Sequence, residues 1–202
     1  MAGALYLPLV KEDLHPTKAE LAARLHVPLG YRDAAMEETE RALLCEIRPA
    51  MTAVRVKISR PEGGGLLLGD LPVCSKGLEK NLEGCGEAFL FAVTLGLCCE
   101  RWLKKVSLLS PAKHFLADGL ASAYAEAAAD LADAILSKDL DTAPRFSPGY
   151  GDLPLSIQKD LIRVTEANKY LHIELKDNLL MVPQKSVTAI LGIRTSAEGR
   201  EK

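Results

Sequence analysis

The chain has 202 residues, of which 48% are hydrophobic, so it is long enough to bury the core of one domain without cross-links. Its 25 basic and 27 acidic side chains leave a net charge of −2, which excludes a strongly basic nucleic-acid-binding protein, and no run approaches the ~18 apolar residues of a membrane span. Five cysteines without Cys-x-x-Cys spacing favour reduced thiols over a disulfide framework, so we expect a cytoplasmic protein that binds neither nucleic acid nor membrane.

The first 50 residues predict an N-terminal helical cap. Thr17 to Glu20 has the pattern of a capping box, which begins a helix from Lys18 to about His26. A second helix is predicted from about Asp33 to Ile47, with apolar side chains on one side and glutamates on the other.

Strand patterns follow this cap. Alternation of apolar and polar side chains predicts a half-buried strand over Met51–Ser59, and the glycines that follow at 63–65 predict a flexible hairpin, because no Gly-Lys-Ser/Thr of a phosphate-binding loop is present. A short helix is predicted over Lys76–Leu82, and the apolar run Ala88–Leu95 predicts a central strand. An amphipathic helix is predicted over Leu97–Leu108.

The longest predicted helix begins at Ser110-Pro111, an N-cap followed by proline, and extends to about Ser137. It carries a polar stripe of residues four apart, namely Asp118, Ser122, Glu126 and Asp130. A polar stripe of this kind is typical of a solvated helix face. The alanines at 125 and 127–129 either leave room for a ligand to approach the helix or are simply good helix formers.

The last part of the chain predicts a helix over Ser156–Ala167 and strands over His172–Leu175 and Ser186–Ile193 that complete the sheet. Helices and strands intermix without a βαβ repeat, which predicts an α+β fold with a mostly antiparallel sheet flanked by helices. We therefore divide the chain into a cap at 1–50, a main domain at 51–195 and a flexible tail at 196–202.

The stretch Arg145–Leu155 reads Arg-Phe-Ser-Pro-Gly-Tyr-Gly-Asp-Leu-Pro-Leu and cannot be helical. Its proline fixes φ and lacks an N–H group, and Gly149 and Gly151 tolerate positive φ. The stretch is either a tight connection between two elements or a ligand-binding loop. In a ligand-binding loop, backbone amides would donate hydrogen bonds and Arg145 would present a planar fork to a carboxylate or phosphate.

This motif resembles the activation domain of vitamin B12-dependent (cobalamin-dependent) methionine synthase, and in particular its short free-standing versions. The similarity extends over roughly residues 76–193. It includes Gln158 and the segments Asn81–Cys85, Ala92–Gly96, Ala117–Glu126 and Val182–Val187.

The resemblance implies reductive reactivation, by S-adenosylmethionine-dependent remethylation, of cob(II)alamin on a partner methionine synthase that lacks its own activation domain. The chain would act as a component of that methyltransferase, with flavodoxin or ferredoxin as the electron donor. Cobalamin would be carried by the partner, since Lys18 occupies the glycine position of the cobalt-ligand motif that Asp13-x-His15 begins. The alternative is a non-catalytic module that senses S-adenosylmethionine or binds a corrinoid protein.

The resemblance also implies a ligand site. Arg145 would pair with the methionine carboxylate and Glu126 with the amino group. Adenine or ribose would contact the loop backbone, at Ser147, Gly149, Tyr150 and Gly151. No catalytic general acid or base is expected, and the four histidines lack metal-ligand spacing, so no metal site is predicted in this chain.

Overall fold

A computed structural model describes residues 3–195 of the chain. Its helices are α1 (Lys18–Leu25), α2 (Ala34–Glu46), α3 (Lys76–Asn81), α4 (Leu97–Leu109), α5 (Pro111–Leu136), α6 (Gln158–Val164) and α7 (Ala167–Tyr170). Its strands are β1 (Leu5–Pro8), β2 (Ala50–Ser59), β3 (Leu66–Leu68), β4 (Leu71–Val73), β5 (Cys85–Thr94), β6 (Glu174–Leu175), β7 (Met181–Val182) and β8 (Ser186–Arg194). The predicted α+β class is confirmed.

The main sheet is antiparallel throughout, in the order β4-β3-β2-β5-β8, and β1 also pairs with β2. Strand β5 lies between the two other long strands, so the prediction that this apolar run is central is confirmed. Its residues from Leu90 to Val93 are all buried, because both faces of the sheet are covered.

Alternate residues of β5 belong to two different cores. Phe91 and Val93 pack with α1, α2, α4 and α5 on one face, whereas Leu90 packs on the other face against α3, α6 and the loop 145–155. Because side chains alternate along a strand, one ten-residue strand connects the two helical layers. Helices α1 and α2 contact α5 directly, within the same core as the sheet.

The small residues of α5 allow this close packing. Ala125 and Ala127–Ala129 are at most 8% exposed and are covered by protein. At Gly119 a Cβ atom would lie 2.6 Å from Cδ2 of Leu25 and 3.0 Å from the carbonyl oxygen of Arg24, so α1 crosses α5 in near contact. The interpretation that the alanines leave room for a ligand is therefore wrong.

Several boundaries and pairings differ from the sequence predictions. The predicted strand near His172 does not complete the main sheet, because β6 pairs only with β7 in a separate two-stranded sheet. The predicted helix over Ser156–Ala167 is a 3-10 turn followed by α6 and α7, which are separated at Glu166 with a φ of 52°. The short strands β1, β3 and β4 were not predicted. The predicted flexible tail at 196–202 lies outside the described residues.

Within residues 3–195, no helix combines the length and the apolar character needed to cross a bilayer.

Candidate functional site

A cleft of about 570 Å³ lies between α5 and the loop 145–155. Helix α5 contributes a row of three acidic side chains to one wall. The loop contributes the opposite wall, and residues 186–188 at the start of β8 also border the cleft. The volume falls within the range of about 300–1,000 Å³ that is usual for small-molecule sites.

The start of the loop is fixed to the sheet. Phe146 and Ile190 exchange two backbone hydrogen bonds of 2.9 Å, which continues the ladder beside β8. Gly149 and Gly151 then adopt φ values of 87° and 55°, the positive φ that glycine tolerates. The amide of Gly149 donates to the carbonyl of Leu153 at 2.9 Å and closes the loop on itself.

The end of the loop is anchored on α3 by Asp152. Its carboxylate accepts hydrogen bonds from the Ser75 hydroxyl at 2.5 Å and from the amides of Lys76 and Gly77 at 2.8 and 3.0 Å. The Ser75 hydroxyl, and then the Gly77 amide, hold the pKa of Asp152 below its usual value. The same carboxylate satisfies N–H groups at the start of α3, so the loop and the helix stabilise each other.

Arg145 lies at the base of the cleft with its side chain 20% exposed. Its Nη1 contacts Oδ1 of Asp130 at 2.7 Å and Oδ2 of Asp133 at 2.8 Å. Its Nη2 contacts Oε2 of Glu126 at 3.0 Å. The three carboxylates share one face of α5 because they are spaced by four and three residues. One guanidinium thus faces three acidic groups.

Asp133 is the least exposed acid of this row. Burial raises its pKa to about 6, although the charge of Arg145 acts in the opposite direction. Its Oδ1 is buried and has no hydrogen-bond partner among the described residues. Sequence analysis missed Asp133 because it does not fall on the four-residue stripe; the i, i+3 spacing from Asp130 is the signal that could have identified it.

The rest of the polar stripe is also paired. Glu126 contacts Arg24 of α1 through Oε1, at 3.3 Å. On the N-terminal side of Glu126, the nearly buried Lys185 lies 2.7 Å from Oδ1 of Asp118 and donates to the Ser122 hydroxyl at 2.9 Å. The stripe therefore binds three cationic side chains from elsewhere in the chain, and a purely solvated face does not describe it.

The predicted site residues are placed as follows. Glu126, Arg145, Ser147 and Tyr150 border the cleft, whereas Gly149 and Gly151 shape the loop behind it. Tyr150 is 69% exposed, and its ring lies 6.3 Å from that of Phe146 between centroids. No group of three or more histidine, cysteine or acidic residues within 3–195 is arranged to hold a metal ion.

Comparison with known proteins gives a match among solved structures. No family model matches the chain, and no curated protein sequence does so either. Among solved structures, the chain is similar to the crystal structure of the MetH reactivation domain bound to AdoHcy, with a TM-score of 0.72 and 14% identity over 94% of this chain and 78% of that one. Identity at this level establishes similarity of fold, and the activity has to be argued from the site. The chain therefore has the fold of the methionine synthase activation domain, as the sequence motif predicts.

Proposed function

We propose that this protein binds S-adenosylmethionine in the cleft and uses it to reactivate cob(II)alamin on a partner methionine synthase. The observation that carries the proposal is the convergence of Arg145 and Glu126, whose Nη2 and Oε2 atoms lie 3.0 Å apart at the cleft, in a chain with the activation-domain fold. A similar fold is known with AdoHcy bound, which is the demethylated form of the proposed ligand.

The side chains present suit the two ends of this ligand. An arginine fork matches a carboxylate, and a glutamate matches an ammonium group, so the pair is complementary to the amino acid end. The exposed ring of Tyr150 offers a face to adenine or to the positively charged sulfonium. Gly149 and Gly151 lie behind this wall of the cleft, and their positive φ values shape the loop that presents Ser147 and Tyr150.

Methyl transfer of this kind needs little chemistry from the protein. Bound S-adenosylmethionine supplies a methyl group whose bond to sulfur breaks with the electron pair on sulfur, and the partner's cobalt, reduced by one electron, supplies the pair for the new cobalt–carbon bond. This chain's part is to hold the sulfonium in position, so proximity and orientation are its contribution. The loop is suited to that task because it is anchored at both ends, to β8 and to α3.

The partner must carry the cobalamin and must release this protein during normal turnover. We therefore expect a modest interface centred on the cleft, with Tyr150 exposed near its centre. The reducing electron would come from a low-potential donor such as flavodoxin or ferredoxin.

The test is the visible spectrum of a cob(II)alamin-loaded methionine synthase lacking its activation domain, recorded without oxygen. S-adenosylmethionine, a low-potential reductant and this protein are added, and each is left out in turn. We expect methylcobalamin to form only in the complete mixture. Arg145→Ala should reduce its formation, whereas Arg41→Ala should not, because Arg41 is an exposed residue of α2. Tight S-adenosylmethionine binding without any spectral change would favour a sensor module instead.

A further inference from the structure

The two side chains proposed to recognise the ligand are paired with each other. Nη2 of Arg145 contacts Oε2 of Glu126 at 3.0 Å, in a part of the cleft where the two side chains are only 20% and 30% exposed. A ligand carboxylate that approaches Nη2 must therefore compete with Glu126. A ligand ammonium that approaches Oε2 must likewise compete with Arg145.

Each member of this pair also has a second partner that a ligand need not disturb. Nη1 of Arg145 remains with Asp130 and Asp133, and Oε1 of Glu126 remains with Arg24. Removing one partner from a partly buried ion pair is costly when the other charge is left alone. Here neither charge is left alone, so the contact between Nη2 and Oε2 can be exchanged at low cost.

We propose that an α-amino-carboxylate zwitterion enters the cleft by ion-pair exchange. Its carboxylate replaces Glu126 on Nη2 of Arg145, and its ammonium replaces Arg145 on Oε2 of Glu126. Asp130 and Asp133 are positioning residues that hold the guanidinium plane while the exchange takes place. This inference rests on the proposed function, since it takes the cleft to bind the amino acid end of an adenosyl ligand.

The exchange makes recognition depend on both charges together. A ligand with a carboxylate alone would separate Arg145 from Glu126 without giving Oε2 of Glu126 a new cationic partner. A zwitterion replaces one ion pair by two, and both are charge-assisted. The cleft should therefore discriminate against an adenosyl compound that carries one charge without the other.

Calorimetric titration with three thioether nucleosides tests this inference. The ligands are S-adenosylhomocysteine, its analogue with hydrogen in place of the amino group, and 5′-methylthioadenosine, which lacks both charged groups. With the wild-type protein we expect the deaminated analogue to bind no more tightly than 5′-methylthioadenosine, whereas S-adenosylhomocysteine binds more tightly than both. This comparison uses only the wild-type protein, so it tests the exchange even if a substitution prevents folding.

Glu126→Gln should then change the affinities for the two carboxylate ligands in opposite directions. S-adenosylhomocysteine should bind about tenfold more weakly, because its ammonium loses a charged partner. The deaminated analogue should bind about tenfold more tightly, because Nη2 of Arg145 no longer has a competing carboxylate. Asp133→Ala removes an acceptor of Nη1 of Arg145, so it should weaken binding of both and leave binding of 5′-methylthioadenosine unchanged. Glu38→Gln, at an exposed position of α2, is the matched control.

Opposite changes in the two affinities in Glu126→Gln would support the exchange. The exchange is overturned, with the proposed function intact, if both carboxylate ligands weaken together or if the deaminated analogue binds wild type as tightly as the zwitterion. Failure of wild type to bind either S-adenosylhomocysteine or S-adenosylmethionine would overturn the proposed function and the exchange with it.

Discussion

Replacing Asp133 with asparagine should change the pH dependence of stability. Burial raises the pKa of this carboxyl from 3.8 to about 6 in the folded protein, so between these values the folded state binds more protons than the unfolded state. The free energy of unfolding therefore falls as the pH rises through this window and stays at the lower value above it. A pKa shift of one unit corresponds to about 1.4 kcal/mol, so the shift of Asp133 lowers the free energy of unfolding by at most about 3 kcal/mol across this window.

Asparagine cannot titrate, and its side-chain oxygen can still accept from Nη1 of Arg145. The free energy of unfolding of Asp133→Asn, relative to wild type, should thus increase by up to about 3 kcal/mol between pH 4 and pH 7. Urea denaturation at several pH values measures this difference, with Asp70→Asn as the baseline for loss of an exposed carboxylate. A difference that stays flat or decreases as the pH rises would refute the reasoning, because ionised Asp133 would then be stabilised by Arg145 by more than burial costs it.

Three further substitutions test how the site is built. Gly119→Ala should lower the melting temperature, because the alanine Cβ would lie 2.6 Å from Cδ2 of Leu25 and overpacking costs about 1–3 kcal/mol. We expect this cost to exceed the gain of about 1 kcal/mol in helix propensity when alanine replaces glycine. Gly149→Ala places a side chain at a φ of 87°, so it should destabilise the loop by about 1–2 kcal/mol in denaturant melts and weaken nucleoside binding. Asp152→Ala should increase protease cleavage within the loop, because three hydrogen bonds to the start of α3 are lost, and unchanged cleavage would argue against this anchor.

Local patterns predicted much of the fold because they depend on neighbouring residues. The capping box at Thr17 and the Ser110-Pro111 pair begin helices where predicted, as their side chains satisfy the first N–H groups of α1 and α5. The positive φ values at Gly149 and Gly151 also follow from residue type. By contrast, the strand pattern near His172 could not show that β6 forms a local hairpin with β7 and stays outside the main sheet.

The site shows the same division between local and tertiary information. The family motif identified Arg145, and helix spacing identified the stripe that includes Glu126. Neither could show that Asp133 and Arg24 complete the ion-pair network, because Arg24 is 102 residues from Glu126 in sequence and is brought close only when α1 packs on α5. The alanines were misinterpreted for a related reason: small side chains suit both a ligand and a neighbouring helix, and only the packing distinguishes these uses.

The most direct measurement is the affinity of wild type, Arg145→Ala and Arg145→Lys for S-adenosylmethionine by calorimetry. If Nη2 of Arg145 binds the methionine carboxylate, alanine should weaken binding by about 2 kcal/mol or more, and lysine should not restore it fully because it lacks the planar fork. Arg41→Ala should bind as wild type does, since Arg41 is exposed on α2. Equal affinities for wild type and Arg145→Ala would contradict the assignment of this cleft as the S-adenosylmethionine site.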